Sequence, residues 1–129
     1  MDLQAIDHVA LSVADVDRSA NWYIDVLGFE RRFDGMWDGV PVFIGLGNTA
    51  LALFPIRSGK SISSESVGGP RILHLAFRTD QKGFGVAQNE LTNRGIAFQF
   101  QDHEISHSIY FRDPDGHELE ITTYEIDQG

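Results

Sequence analysis

The stretch Ala5-Ile6-Asp7-His8-Val9-Ala10-Leu11-Ser12-Val13 returns in altered form as Ile72-Leu73-His74-Leu75-Ala76-Phe77-Arg78-Thr79. His8-Val9-Ala10-Leu11 stands against His74-Leu75-Ala76-Phe77, 66 residues later. Both stretches alternate. Val9, Leu11 and Val13 share one face and His8, Ala10 and Ser12 the other; Leu73, Leu75 and Phe77 oppose His74, Ala76 and Arg78. Side chains on a strand point to opposite faces in turn, so both stretches predict strands, over 5–13 and 72–79, each with a large apolar face and a face of histidine and small residues.

The pattern beyond each histidine strand is also repeated. Asp15 suits an N-cap, Val16, Ala20, Tyr23 and Leu27 come next at helical spacing, and Gly28 suits a left-handed C-cap, which predicts a helix over 16–27. Asp80, then Phe84, Ala87 and Leu91, then Gly95 predict a second helix over 81–94, weakened in its first turns by Gly83 and Gly85. Three short strands are expected after each helix: 29–37, 40–46 and 49–55, then 96–101, 106–112 and 117–124. Each half therefore reads βαβββ. The class is α+β: one domain, 1–129, of two modules at about 1–56 and 71–129. Neither half can bury its sheet alone, so the halves must pack together or exchange with a second chain. The Ser/Gly-rich stretch 57–70 between them reads as a flexible linker or a mobile flap over a site.

Composition narrows the class of partner. The chain has 129 residues, 42% of them apolar, enough for one domain with a core. Lys and Arg number 10 against 19 Asp and Glu, a net charge of −9. Nucleic acid and anionic membrane both call for a basic footprint, so neither is expected as a partner. No apolar run approaches membrane-spanning length and no leader pattern is evident, so a cytoplasmic location is expected. Without cysteine, disulfides and thiolate metal sites are excluded.

The polar faces of the strands carry the chemistry. Asp113-Pro114-Asp115-Gly116 is a turn between two alternating runs. Before it, Ser108, Tyr110 and Arg112 oppose Ile109 and Phe111; after it, Glu118, Glu120 and Thr122 oppose Leu119 and Ile121. If the large side chains pack on the helices, Ser12, Ser108, Tyr110, Glu120 and Thr122 join His8, Ala10, His74 and Ala76 around a hollow. His8, His74 and Glu120 are then candidate metal ligands. Two imidazoles and a carboxylate hold a divalent ion on one side and leave positions for substrate.

Four stretches resemble the vicinal oxygen chelate superfamily of glyoxalases, bleomycin-resistance proteins, fosfomycin-resistance enzymes and extradiol dioxygenases. They are Asp7 to Asp15, Trp22-Tyr23 through Leu27-Gly28-Phe29, His74 to Phe77, and Tyr110 to Glu120. The resemblance covers nearly the whole chain. It implies paired βαβββ modules forming a half-barrel metal and ligand cavity, the metal triad His8, His74 and Glu120, and a homodimer. It also implies a small-molecule substrate and a divalent cofactor, Fe(II) or Mn(II) favoured, with Zn, Ni or Co as alternatives.

Departures sort the members. Glyoxalases of this kind usually add a carboxylate ligand about where this chain has Ala52. Fosfomycin-type thiol transferases usually carry Thr where Ala10 stands, and surround their phosphonate with cations. Bleomycin-type binders generally lack the triad. The hairpin resembles the extradiol signature best, from His103 through Ile109-Tyr110 and Asp113-Pro114-Asp115-Gly116 to Glu120, although Gln101 departs from it. Those enzymes also usually place a catalytic His shortly before the second ligand, and no His lies between His8 and His74. The resemblance thus implies a metal-dependent enzyme acting on a molecule that chelates the metal through adjacent oxygens, extradiol ring cleavage favoured. Other chemistry at the same metal, or a binding protein without turnover, are the alternatives. In the favoured reading Tyr110, His103 and His107 are catalytic and Ser108, Ser12 and Thr122 bind substrate, with His103 and His107 alternatively plain loop histidines. Trp37, Phe43 and Phe54 are either core or an apolar wall for a planar substrate.

Overall fold

Alternation governs the first sheet. In β1 (Val9–Val13) exposed and less exposed residues alternate until Val13 is fully buried. Asp15 then caps α1 (Val16–Leu27), its carboxylate accepting from the Arg18 N–H, and Gly28 ends it at φ 81°. That left-handed conformation costs an L side chain about 1–2 kcal/mol. Three strands come after the helix: β2 (Glu30–Arg32), β3 (Val42–Leu46) and β4 (Thr49–Pro55). They form a sheet in the order β1-β4-β3-β2, with β1 parallel to β4 and the other pairs antiparallel.

Register assigns the two faces of this sheet. Val13, Leu51, Leu53 and Ile44 are buried, as are Ala20 and Tyr23 of α1. On the β2 edge, Arg31 reaches Asn21 (3.3 Å) and Asp17 (3.5 Å) of α1, so this is the helix-covered face. The opposite face pairs Ala10 with Ala52, Ala52 with Phe43, and Phe43 with Arg32. His8, Ala50 and Gly45 share its parity. It is a face of small residues with aromatic and charged rims.

The second sheet repeats the plan. β5 (Leu75–Arg78) leads to α2 (Gln81–Asn93), capped by Asp80, whose carboxylate accepts from the Gly83 N–H at 2.7 Å. Then come β6 (Gln99–Asp102), β7 (His107–Arg112) and β8 (Glu118–Thr123), in the order β5-β8-β7-β6, with β5 parallel to β8. Ile109, Phe111, Leu119 and Ile121 are buried together with Phe84 and Leu91 of α2. The opposite face pairs Ala76 with Glu120, Glu120 with Tyr110 and Tyr110 with Gln99.

The computed structural model describes residues 1–56 and 70–126. The expected linker or flap over 57–70 falls, apart from Pro70, outside the described residues. The chain divides into two units, Met1–Ile62 and Ser63–Gly129. Within them the expected elements form, with corrections of extent, and the strand expected over 96–101 begins at Gln99. Both histidine-bearing strands begin one residue after their histidine, at Val9 and Leu75; the last registered pairs are Val9 with Leu51 and Leu75 with Leu119. The strand expected over 29–37 stops at Arg32, because Phe33 is left-handed (φ 57°) and so leaves the extended region. Met36–Gly39 forms a 3-10 turn in its place.

Candidate metal and substrate site

The second unit gathers most of the expected polar residues around Glu120. His74 Nε2 lies 3.0 Å from Glu120 Oε1, and its Nδ1 lies 4.0 Å from Glu118 Oε2. The Glu120 side chain is 10% exposed, so its charge needs close partners. One is Ser108, fully buried, whose Oγ donates to Glu120 Oε2 at 2.6 Å. A serine hydroxyl has one proton, and this short bond to a carboxylate takes it. The Thr122 hydroxyl, 2.9 Å from Ser108 Oγ and 3.2 Å from the His107 carbonyl, supports the serine from behind.

Tyr110 completes the cluster. It faces Glu120 across β7 and β8, and its ring stands edge-on to His74 with centroids 5.7 Å apart. Burial, then the charge of Glu120 and a hydrogen bond to it, raise its phenol above the usual tyrosine range. The phenol is therefore a neutral O–H at neutral pH. With that proton on the Glu120 side, the Tyr110 oxygen accepts from His103 Nε2, 3.1 Å away, in the tautomer protonated there. His103 starts the turn between β6 and β7, where its N–H bonds the Ser106 carbonyl at 2.9 Å.

Two expectations need correction here. His107 is not with this group. Its parity is that of Ile109 and Phe111, and its ring packs on Phe100 (5.1 Å), with Nε2 3.7 Å from Asp102. Ser108 lies on the expected face, but it is fully buried and holds Glu120 rather than lining an open surface. Strand alternation already carried the first of these signals: His107 immediately precedes Ser108 in one strand and so faces away from Ser108 and Tyr110.

In the first unit, His8 Nδ1 is 2.8 Å from Asp7 Oδ2, and its ring meets Phe43 edge-on at 5.0 Å. A carboxylate behind one ring nitrogen fixes the tautomer and presents the other, as metal-bound imidazoles require. The Asp7-His8 adjacency was legible in the sequence; its role was not read from it. Ser12 is exposed on the same face as Ala10, and Ala52 sits there with no carboxylate to offer. Beside His8 is an open hollow of about 970 Å³, walled by Phe33, Trp37 and Phe43 and edged by Arg32. Of the expected apolar wall, Trp37 and Phe43 take part.

The donor set was tested against a divalent ion. Two ligands about 2.1 Å from an ion and at right angles to each other lie about 3.0 Å apart, which is the His74–Glu120 spacing. Among the described residues no three His, Asp or Glu side chains form a complete ligand group. His74 and Glu120 thus fit as half of a site, and His8 has the chemistry of a further ligand.

The chain is similar to known proteins over nearly its whole length. Residues 5–121 match the profile of the Glyoxalase/Bleomycin resistance protein/Dioxygenase superfamily. The chain is 32% identical to a metallothiol transferase FosB of Staphylococcus saprophyticus, over 94% of this chain and 78% of that protein. It is 31% identical to a catechol-2,3-dioxygenase of Bacillus subtilis, over 90% of this chain but 40% of that longer protein. Among solved structures, a glyoxalase/dioxygenase from Nostoc punctiforme superposes with a TM-score of 0.76 at 26% identity, covering 98% of this chain and 94% of the other.

Proposed function

The chain belongs to the Glyoxalase/Bleomycin resistance protein/Dioxygenase superfamily, and on that premise we propose that it is a divalent-metal-dependent enzyme whose small substrate chelates the metal through adjacent oxygens. Extradiol-type ring cleavage of a catechol-like molecule is the leading reaction. The observation that carries the reading is the His74–Glu120 pair, 3.0 Å apart with Tyr110 against it. His74, Glu120 and His8 would hold the ion, from the same chain or from two copies in a homodimer. When bound, such an ion acts as a Lewis acid that acidifies a chelated hydroxyl and, as Fe(II), supplies reactivity toward O₂.

The remaining work falls to side chains of this protein. Ser108 and Thr122 fix Glu120. Tyr110, kept protonated, would turn its one proton from Glu120 to an oxygen of the substrate. His103, hydrogen-bonded to Tyr110, moves a proton to or from that phenol. It thereby fills the acid–base role left open by the lack of a histidine shortly before His74.

Thiol addition is the second reading. It is favoured by the FosB relative, which this chain matches over 78% of its length against 40% for the dioxygenase. One experiment separates the two. Protein loaded anaerobically with Fe(II) is mixed with a panel of catechols and then exposed to air; Mn(II)-loaded protein is mixed with fosfomycin and a thiol. A yellow ring-cleavage product supports the first reading and an adduct supports the second. If purified protein holds no metal, or keeps it in both the His74→Ala and Glu120→Ala variants, the metal site is wrong.

A further inference from the structure

Neither reaction accounts for the hollow of the first unit. Its walls are unusual in two respects. Phe33 and Trp37 are large apolar residues left 58% and 49% exposed, yet both are held in the left-handed conformation, at φ 57° and 55°. Such a backbone costs about 1 kcal/mol or more per residue, and burial does not offset it here. The rings form one wall: Phe33 meets Phe43 at 5.4 Å and Trp37 at 5.9 Å, and Trp37 meets Phe43 at 5.6 Å. An open aromatic wall suits a flat, conjugated guest.

The second respect is the cation at its edge. Arg32 lies opposite Phe43 in β2, its side chain 29% exposed. Its Nη2 donates to the Gly47 carbonyl at 2.8 Å and stands 4.0 Å from Glu30. The Nε and Nη1 edge lies over Gly45, where an added Cβ would fall on the guanidinium. The missing side chain at Gly45 thus makes the seat, and the Gly47 carbonyl anchors one nitrogen of the fork. The guanidinium N–H donors that the Gly47 carbonyl does not take can meet a carboxylate. Asp2 and Asp7 also line the hollow, and Arg32 is the one cationic side chain among its described lining residues.

We propose that this hollow is the recognition subsite for the remote end of the substrate, and that Arg32 selects an aromatic or conjugated molecule bearing a carboxylate. The proposal rests on the reading of the protein as a small-molecule enzyme and adds the substrate class to it. His8, on the wall beside Phe43, marks the end of the hollow nearest to metal chemistry.

Calorimetric titration of the purified protein with benzoate, 3,4-dihydroxybenzoate, its methyl ester and catechol tests this. The acid is expected to bind at least tenfold tighter than its ester. In Arg32→Met that preference falls to within twofold while catechol affinity stays the same, and Gly45→Ala, which displaces the guanidinium without removing charge, shows the same loss. Circular dichroism checks that both variants are folded. Benzoate lacks adjacent oxygens, so its Arg32-dependent binding persists even if the metal reading fails. The proposal is overturned if the wild type does not prefer acid over ester, or if folded Arg32→Met and Gly45→Ala both keep the preference.

Discussion

Ser108 holds the carboxylate of Glu120, the residue proposed as a metal ligand. The serine is fully buried and its proton is committed to Glu120 Oε2 at 2.6 Å. Ser108→Ala leaves a nearly buried carboxylate oxygen without that donor. We expect a stability loss of about 1–3 kcal/mol, read from thermal or denaturant unfolding. Metal affinity is expected to fall about 10- to 100-fold, read by equilibrium dialysis. Unchanged affinity would mean that Glu120 is not a ligand or does not need its serine. The Tyr110 phenol gives an independent check in metal-free protein. Its folded pKa lies above the ordinary value of 10.0, so folding favours its neutral form. That contribution is fully present below pH 10 and is lost as pH rises through the folded value. Ultraviolet titration of wild type minus Tyr110→Phe should show the late phenol, and Glu120→Gln should move it back toward 10. A difference curve that does not move would remove Glu120 as a cause. At this scale alternation in the sequence was enough to put His74, Tyr110 and Glu120 on one face. It could not show that Ser108 is sealed inside, because burial depends on packing by the whole unit.

Among the elements, the two helices were legible, as were β3 and β4, whereas the strand expected over 29–37 was not. Helix limits rest on local chemistry: Asp15 and Asp80 as caps, and Gly28 at φ 81°. The strand expected over 29–37 rested on apolar residues that turned out to line a hollow. Phe33 and Trp37 mimic strand alternation, but their left-handed backbone, with Gly35 between them at φ 82°, turns the chain. A non-glycine residue at positive φ has no reliable signature in sequence. The glycines of α2 show a similar limit, since both read simply as weak helix formers. They differ in what surrounds them. At Gly85 an added methyl meets nothing within 4 Å, so Gly85→Ala should stabilise the protein by about 0.5–1 kcal/mol. At Gly83 the same methyl would fall on the Thr79 hydroxyl and crowd Asp80 Oδ1, the cap itself. Gly83→Ala should therefore gain nothing or lose stability. Equal gains in denaturant midpoint for the two variants would show that the Thr79 contact is unimportant.

For the molecule as a whole, the repeat sets the remaining question. His8 belongs to the first unit; His74 and Glu120 belong to the second. If all three hold one ion, as proposed, the ligands come from one chain or, in a homodimer, from two. Complementation separates the choices. Consider a mixture of chains carrying His8→Ala with chains carrying Glu120→Ala, unfolded and refolded together. If each site forms within one chain, every site contains one damaged ligand and the mixture binds no metal. If sites form between chains, a mixed dimer has one site with both defects and one with none. The intact site takes His8 from the Glu120→Ala chain and His74 with Glu120 from the His8→Ala chain. Random pairing gives about half the dimers mixed, each with one working site of two. That second outcome reads as about a quarter of wild-type metal content and of turnover, confined to a dimer-sized species on sizing chromatography. An increase in thermal midpoint on adding metal should accompany it, because a ligand that binds only the folded state stabilises that state by mass action. A mixture as empty of metal as either parent, with wild type refolded in parallel regaining its full content, would place all three ligands within a single chain.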